Sequence, residues 1–315
     1  MTIATYFWLC TMAMLGKLFA DCPYQACICV SDFIECSARS PILTEIPALI
    51  STNTSGLTTL DFSANQITAI HSGQLPQKLT EMSFLENPIT TIDDHAFDDS
   101  LTTLEKLSFS NCGITRIPTA LYRLSSLKML HIFNARITEW NTDVMKNIGP
   151  TVEELYLMNA GLSPNPDWLL YFERLKMLIL DGCSIFSVPD DALHKVAKTL
   201  THLSLANNNL TTIPSTIAEL RSLQVLVLHR NFISDISSLP NSDQLVTLSL
   251  HNNNISDVHL LSDKLQSYNE SLITVSLNNN FFVEFPHLDF LSQVGVLDLS
   301  HNQISNANSD LFRGL

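Results

Sequence analysis

The chain has 315 residues, of which 45% are hydrophobic and 15% are charged, a composition typical of a folded protein and not of a disordered one. Its formal net charge is −14, so it lacks the excess of Lys and Arg with which proteins bind phosphate groups. The charge therefore argues against nucleic acid as a partner and against electrostatic binding to anionic membranes.

The first 20 residues have the pattern of a secretory signal peptide. The run from Ile3 to Gly16 is almost wholly apolar, and Ala20 is a small residue of the kind that precedes a cleavage site. An uncleaved anchor is the alternative, but the run is short for a membrane span, and no later segment reaches about 18 apolar residues. We therefore predict a signal peptide over residues 1–20, a secreted or extracellular chain, and no membrane span in this sequence.

Four closely spaced cysteines follow the predicted signal peptide: Cys22, Cys27, Cys29 and Cys36. Four cysteines allow three disulfide pairings, and the sequence alone does not choose among them. A zinc site is the alternative, since closely spaced cysteines also bind metal. Secretion implies an oxidising compartment, which favours disulfides.

The rest of the chain is a repeat. The pattern Leu-x-x-Leu-x-Leu-x-x-Asn/Cys-x-Leu recurs about every 22–27 residues, the period of leucine-rich repeats. Its about eleven units begin at these residues: Leu57, Leu79, Leu104, Leu127, Val152, Leu175, Leu200, Leu223, Leu245, Leu272 and Val294. The Leu-x-Leu core predicts a short strand in each unit, with its leucines pointing inward. The strands are expected to stack into a parallel sheet on the concave face of an α/β solenoid, a horseshoe with short helices, 3₁₀ turns and loops on its convex side.

One position of each unit carries an inward polar side chain that we call the ladder. Asparagine there both donates to and accepts from buried backbone groups, whereas alanine does neither. The ladder consists of these residues: Asn65, Asn87, Cys112, Ala135, Ala160, Cys183, Asn208, Asn231, Asn253, Asn280 and Asn302. We expect water or shifted backbone to satisfy the turns at the two alanines. Cys112 and Cys183 lie three units apart, about 15 Å by strand spacing, too far for a disulfide.

These features resemble extracellular leucine-rich-repeat proteins such as the Toll-like, Slit-like and chaoptin-like repeat ectodomains. The resemblance implies a cysteine cap over residues 21–56, with the pairs Cys22–Cys29 and Cys27–Cys36, ahead of repeats over residues 57–315. The 315 residues include no cysteine cluster after the repeats that would form a C-terminal cap. We therefore expect a fragment of a longer ectodomain; the alternative is an open edge that is able to self-associate.

Catalysis is not indicated by any motif. The chain has nine glycines and no HExxH, GxSxG, phosphate-loop or GxGxxG pattern, so we predict no enzymatic activity, no cofactor and no metal. Four sequons predict glycosylation at Asn53, Asn209, Asn254 and Asn269. Asn209 and Asn254 each follow a ladder asparagine, so we expect both to be exposed.

The outward strand positions are polar in the early and late units and apolar in the middle. We predict that the middle positions form a ligand-binding patch on the sheet; the alternative is that they only raise strand propensity. The residues of the patch are Met129, His131, Phe133, Tyr156, Met158, Met177 and Ile179. Two further outward residues, His229 and His251, are expected about 5 Å apart, since they occupy the same position of adjacent units.

The resemblance implies a binding scaffold for a protein or glycoprotein ligand in adhesion, recognition or signalling. A non-catalytic accessory or structural subunit of an extracellular complex is the main alternative. An intracellular regulatory repeat protein is a third, which the cysteines and the leader disfavour.

Overall fold

The computed structural model describes residues 22–51, 54–161 and 165–305. The predicted signal peptide, the sequon residue Asn53 and the last ten residues lie outside the described residues. The chain forms two compact units, Met1–Ala135 and Arg136–Leu315, which we call unit 1 and unit 2.

Unit 1 begins with a hairpin and continues as parallel strands. Its described strands are β1 (Ile28–Val30), β2 (Phe33–Glu35), β3 (Thr59–Asp61), β4 (Ala69–Ile70), β5 (Glu81–Phe84), β6 (Thr91–Ile92), β7 (Lys106–Ser110) and β8 (Met129–Phe133). Strands β1 and β2 pair in antiparallel fashion. Then β2, β3, β5, β7 and β8 pair in parallel in that order, while β4 and β6 form a separate short pair. The hairpin thus continues the sheet of the first repeats.

Unit 2 repeats the same parallel arrangement. Its described strands are β9 (Glu154–Met158), β10 (Met177–Ile179), β11 (His202–Ser204), β12 (Val225–Val227), β13 (Thr247–Ser249), β14 (Thr274–Ser276) and β15 (Val296–Asp298). Each strand pairs in parallel with the next. The register aligns equivalent residues, as with Leu203 opposite Leu226 and Leu226 opposite Leu248. The predicted start of each repeat lies two residues before a strand, which holds for β3, β5, β7, β8 and β9–β15.

The segments that return between strands are mostly extended or form single helical turns. The 3₁₀ helices are Asp98–Ser100, Thr119–Arg123, Asp167–Tyr171, His194–Val196, Ser215–Glu219 and Gln266–Tyr268. The α-helices are α1 (Thr142–Ile148) and α2 (Val258–Leu265). Side-chain caps begin both α-helices: Asn141 accepts from the Val144 amide and Asp257 from the Leu260 amide. The core lies between strands and return segments, where leucines such as Leu226 and Leu220 are fully buried.

The N-terminal cysteines hold the hairpin in place. The structure contains the disulfides Cys22–Cys29 and Cys27–Cys36, the pairing that the resemblance implied, so these sulfurs are not arranged as metal ligands. Tyr24 is fully buried beneath them, 5.3 Å from the ring of Phe62, and its hydroxyl donates to the carbonyl of Gln74 at 2.6 Å. The hairpin therefore covers the first side of the repeat core, which would otherwise be open to water.

Candidate functional site

The ladder fixes the turn that ends each strand and so positions the outer face of the sheet. In unit 2, the Asn208 amide donates to the carbonyls of Leu180 at 2.8 Å and Leu205 at 3.0 Å. Its side-chain oxygen accepts from the amide of Ile185 at 3.0 Å. The same two-way bonding recurs at Asn65 and Asn231. Ladder asparagines therefore join each turn to the turn before it.

The positions without asparagine are satisfied in two other ways. The Cys183 thiol donates to the carbonyls of Leu157 at 3.0 Å and Asp181 at 3.3 Å, so it replaces the amide donor of asparagine. At Ala160 the backbone supplies the acceptor, because the Ile137 amide donates to the Ala160 carbonyl at 3.1 Å. At this alanine, the turn is satisfied by backbone, one of the two routes that the sequence left open.

Two glycines make close approaches possible at this part of the chain. Gly161 has a φ of 64°, and a Cβ there would lie 2.9 Å from the Ile137 carbonyl oxygen. Gly182 has a φ of 66°, and a Cβ there would collide with the side chain of Asn159. Any larger residue would push these turns apart, so both glycines are structural requirements of the strand ends.

The residue before each ladder position adopts a left-handed backbone conformation, which sequence reasoning missed. Asn111, Asn159 and Asn252 have φ values of 53°, 51° and 54°. Asparagine tolerates this conformation better than other non-glycine residues, so its frequency just before the ladder was the available signal.

Unit 1 carries three residues of the predicted patch, all half-buried on β8. The rings of His131 and Phe133 lie 5.6 Å apart, and the His131 ring contacts the hydroxyl of Ser108 at 3.4 Å. Burial, with a smaller contribution from the charge of Lys106, lowers the pKa of His131 to about 4. This histidine is therefore neutral at physiological pH.

Unit 2 carries the other four predicted residues, two on β9 and two on β10. The register places Ile179 opposite Tyr156, and the Tyr156 hydroxyl contacts the sulfur of Met177. All four side chains are half-buried, whereas the sequence predicted exposed residues on a solvent-facing sheet. The difference arises because each side chain is flanked by its neighbours on the adjacent strands, which lie only about 4.8 Å away. That the residues on β8 form one patch with these four stays a prediction.

Asp181 lies next to these four residues and was not among the predicted site residues. Its Oδ1 atom accepts from the Ser204 hydroxyl at 2.5 Å and from the Ala206 amide at 2.9 Å. Ser204 is only 4% exposed, although the alternation of the strand predicted an outward side chain. Burial raises the pKa of Asp181 above its usual 3.8, against the opposing effect of these two bonds. The face of β10 therefore ends in a partly desolvated carboxyl group.

The two outward histidines of unit 2 lie side by side, as their equivalent positions predicted, and their rings also stack. The ring centroids of His229 and His251 lie 4.2 Å apart with the rings nearly parallel. Burial, His251 and Arg230 lower the pKa of His229 to about 4, and its Nδ1 atom is buried without a hydrogen-bond partner among the described residues. Burial and the charge of Arg230 also lower the pKa of His251 below its usual 6.5, against the opposing charge of Asp298, so the neutral form of both rings is favoured at physiological pH. Across the described ranges, no group of three or more His, Cys, Asp or Glu side chains is arranged to hold a metal ion.

The described sequons differ in accessibility. Asn254 and Asn269 are exposed, but Asn209 is half-buried, so the expectation that Asn209 is exposed was wrong. The bond from its backbone amide to the Ile185 carbonyl at 2.8 Å does not explain the difference, because the exposed Asn254 makes the equivalent bond to the Ile233 carbonyl at 2.8 Å. Of the described helices, none has the length and apolar character that crossing a membrane requires.

A cleft of about 310 Å³ lies away from the sheet face, between the turns of three consecutive repeats of unit 2. Phe186 lines it and is 59% exposed. Its acidic residues are engaged within the turns, because Ser215 donates to Asp190 and the Ser237 amide donates to Asp235. Both acidic side chains of the cleft therefore already accept hydrogen bonds from neighbouring serines.

Comparisons with known proteins agree with this fold. Family models described as leucine-rich repeats match residues 173–233 and 103–124. A comparison with curated proteins found no significant match. Among solved structures, an internalin of Listeria monocytogenes is similar over 89% of this chain and 85% of its own, with a TM-score of 0.64 and 21% identity.

Two similar structures are complexes. The repeat protein FLRT2, solved in an octameric complex with Latrophilin 3 and Unc5D, matches over 93% of this chain and 100% of its own, with a TM-score of 0.64 and 19% identity. Toll of Drosophila, solved in complex with Spatzle, matches over 80% of this chain with a TM-score of 0.61 and 20% identity. The matched part is 39% of the Toll chain. The repeated strands, the asparagine ladder and these matches together show a leucine-rich-repeat fold with disulfide-bonded cysteines ahead of its repeats.

Proposed function

We propose that this protein is a secreted or cell-surface binding scaffold that recognises a protein or glycoprotein ligand through the solvent-facing side of its parallel sheet. The observation that carries the proposal is the group of four apolar side chains on β9 and β10, namely Tyr156, Met158, Met177 and Ile179. They lie outside the core, which the leucines of the same strands already fill. Apolar and aromatic side chains held on a rigid sheet bind with a small loss of conformational entropy.

The fold and the disulfides support this role. Disulfides persist in oxidising compartments, which is consistent with secretion and with glycosylation at the sequons. The similar repeat proteins Toll and FLRT2 were both solved in complexes with other proteins. The chain carries no recognised catalytic motif, and we propose that it acts without catalysis, cofactor or metal.

Substitution of Tyr156 tests the proposal. The secreted chain is used to isolate a partner from its source, and the affinity of that partner is then titrated against wild type, Tyr156→Ala and Ser276→Ala. Tyr156→Ala is expected to weaken binding by about 2 kcal/mol, roughly thirtyfold, as for an aromatic residue at an interface centre. Ser276 on β14 is the matched control, since it is half-buried and lies four residues after the start of its repeat, as Tyr156 does in its own repeat.

Melting curves of both variants separate loss of binding from loss of folding. Tyr156 is half-buried and contacts Met177, so a small decrease in stability is expected alongside the loss of affinity. Equal affinities for wild type and both variants would show that the ligand binds elsewhere. If the partner co-purifies as a permanent subunit, the protein is instead an accessory subunit of an extracellular complex.

A further inference from the structure

The outer face of β9 and β10 combines apolar side chains with two carboxyl groups. We define the β9–β10 patch by six residues: Glu154, Tyr156, Met158, Met177, Ile179 and Asp181. Glu154 lies opposite Met177 in the register, and Ile179 lies opposite Tyr156. Asp181 follows Ile179 by two residues on the same face, so the carboxyl groups occupy opposite corners of the patch. All six residues are half-buried.

Asp181 is held rigidly, with one of its oxygens left available. Both hydrogen bonds that it accepts, from Ser204 and from the Ala206 amide, go to Oδ1. No hydrogen bond reaches Oδ2 from the described residues. Asp181 is half-buried, and this partial removal from water disfavours its charged form and raises its pKa.

The strands that carry the patch provide no compensating positive charge on this face. Lys176 lies just before β10, and its ammonium group is paired with Glu153 at 2.6 Å. The outward residues of β11 beside the patch are His202 and Ser204. The face therefore presents two carboxyl groups and four apolar side chains without an Arg or Lys of its own. A cationic group supplied from outside would offset the desolvation of Asp181.

We propose that the β9–β10 patch binds a protein segment that places a basic side chain against Asp181 and apolar side chains against Tyr156 and Met158. This inference rests on the proposed function and adds the charge of the ligand to it. Asp181 acts here as the residue that determines specificity, because an uncharged side chain would leave its carboxylate poorly solvated at the interface.

Two synthetic peptides test the charge of the ligand directly. The probes are acetyl-Leu-Arg-Leu-amide and acetyl-Leu-citrulline-Leu-amide, which have the same shape but differ by one positive charge. The reporters are the methyl resonances of Met158 and Met177 in the full disulfide-bonded chain labelled at methionine methyl groups. The arginine peptide is expected to shift both resonances in a saturable way at millimolar concentration, with an affinity about tenfold above that of the citrulline peptide, as for a charge-assisted hydrogen bond.

Asp181→Asn and Asp298→Asn form a matched pair. Asp298 also accepts from a serine hydroxyl and a backbone amide, both of Ser300, but there these bonds outweigh burial and lower its pKa. Asparagine keeps the side-chain oxygen that accepts these bonds, so both variants are expected to fold, which circular dichroism checks. Asp181→Asn is expected to abolish the preference for arginine over citrulline, and Asp298→Asn to leave it unchanged.

The outcomes separate this inference from the proposed function. Equal binding of the two peptides, absence of any shift, or an unchanged preference in Asp181→Asn would each overturn the inference. If Tyr156→Ala weakens the natural partner while Asp181→Asn does not, the face binds a ligand but Asp181 does not select its charge. If neither substitution affects the natural partner, the proposed function at this face is wrong as well.

Discussion

Replacement of Asn231 by alanine tests whether the ladder stabilises the solenoid. Asn231 is 5% exposed, donates to the carbonyls of Leu205 and Leu228, and accepts from the amide of Leu210 at 3.1 Å. The two carbonyls keep other donors in the variant, because the adjacent ladder asparagines also bond to them at 3.0 Å. Only the Leu210 amide loses its single partner.

The expected cost follows from that one group. A buried amide without a hydrogen bond costs about 1–3 kcal/mol, so we expect Asn231→Ala to lower the free energy of unfolding by about 2 kcal/mol. This corresponds to a fall in melting temperature of about 4–8 °C for a cooperative unit of 150–250 residues. The Leu210 amide should also exchange faster with deuterium than in the wild type, since the variant lacks the side-chain oxygen that accepts its hydrogen bond.

Asn278→Ala is the matched control for this substitution. Asn278 is half-buried just after β14, and its side chain makes no hydrogen bond among the described residues, so its removal should be nearly neutral. Two stabilities that agree within about 0.5 kcal/mol would refute the argument, because that is the scatter of ordinary surface substitutions. Unchanged exchange at Leu210 would show that another acceptor replaces Asn231.

Two further predictions concern titration and thiol chemistry. The folded protein holds the pKa of His229 at about 4, below the usual 6.5, so its stabilising contribution is fully present above pH 6.5 and is lost as the pH falls towards 4. Urea unfolding at a series of pH values should show a smaller acid loss in His229→Gln than in wild type; parallel curves would contradict this. Alkylation of the native chain, followed by peptide mass mapping, should leave Cys112 and Cys183 unlabelled, because both thiols are buried and burial raises the pKa of Cys112. Labelling of Cys183 before unfolding would show that its turn opens.

The strands could be predicted from the sequence because their cause is local. Leucines spaced two residues apart bury one side of a strand, whatever the sequence of the preceding repeat. Leu203 and Leu205 are an example, since each is only 1% exposed. The ladder was predictable for the same reason, since an inward asparagine at a fixed distance from the strand has few other ways to satisfy its amide. The positions of the strands and of the ladder therefore follow from short patterns.

The environment of the face residues could not be predicted in this way, because it depends on residues more than 20 positions distant. The alternation of its own strand predicts an outward side chain for Ser204, but Ser204 is buried and donates to Asp181 of the preceding repeat. The bond from the Ile137 amide to Ala160 likewise depends on Gly161, whose positive φ allows the two turns to approach. Sequence patterns place a residue on the face but do not show what covers it.

The contrast between Asp181 and Asp298 shows why that covering matters for function. Both carboxyl groups accept from a serine hydroxyl and from a backbone amide, yet the pKa of Asp181 is raised and that of Asp298 is lowered. These bonds lower both pKa values, but burial of Asp181 outweighs them, whereas at Asp298 they outweigh burial and the charges of His301 and His251 lower the pKa further. Asp181 therefore retains a desolvation cost that its bonds to Ser204 and Ala206 do not fully offset, and a cation arriving at the patch would recover part of it. At Asp298 no such net cost remains, so the proposed recognition of a basic side chain is expected at Asp181 and not at Asp298.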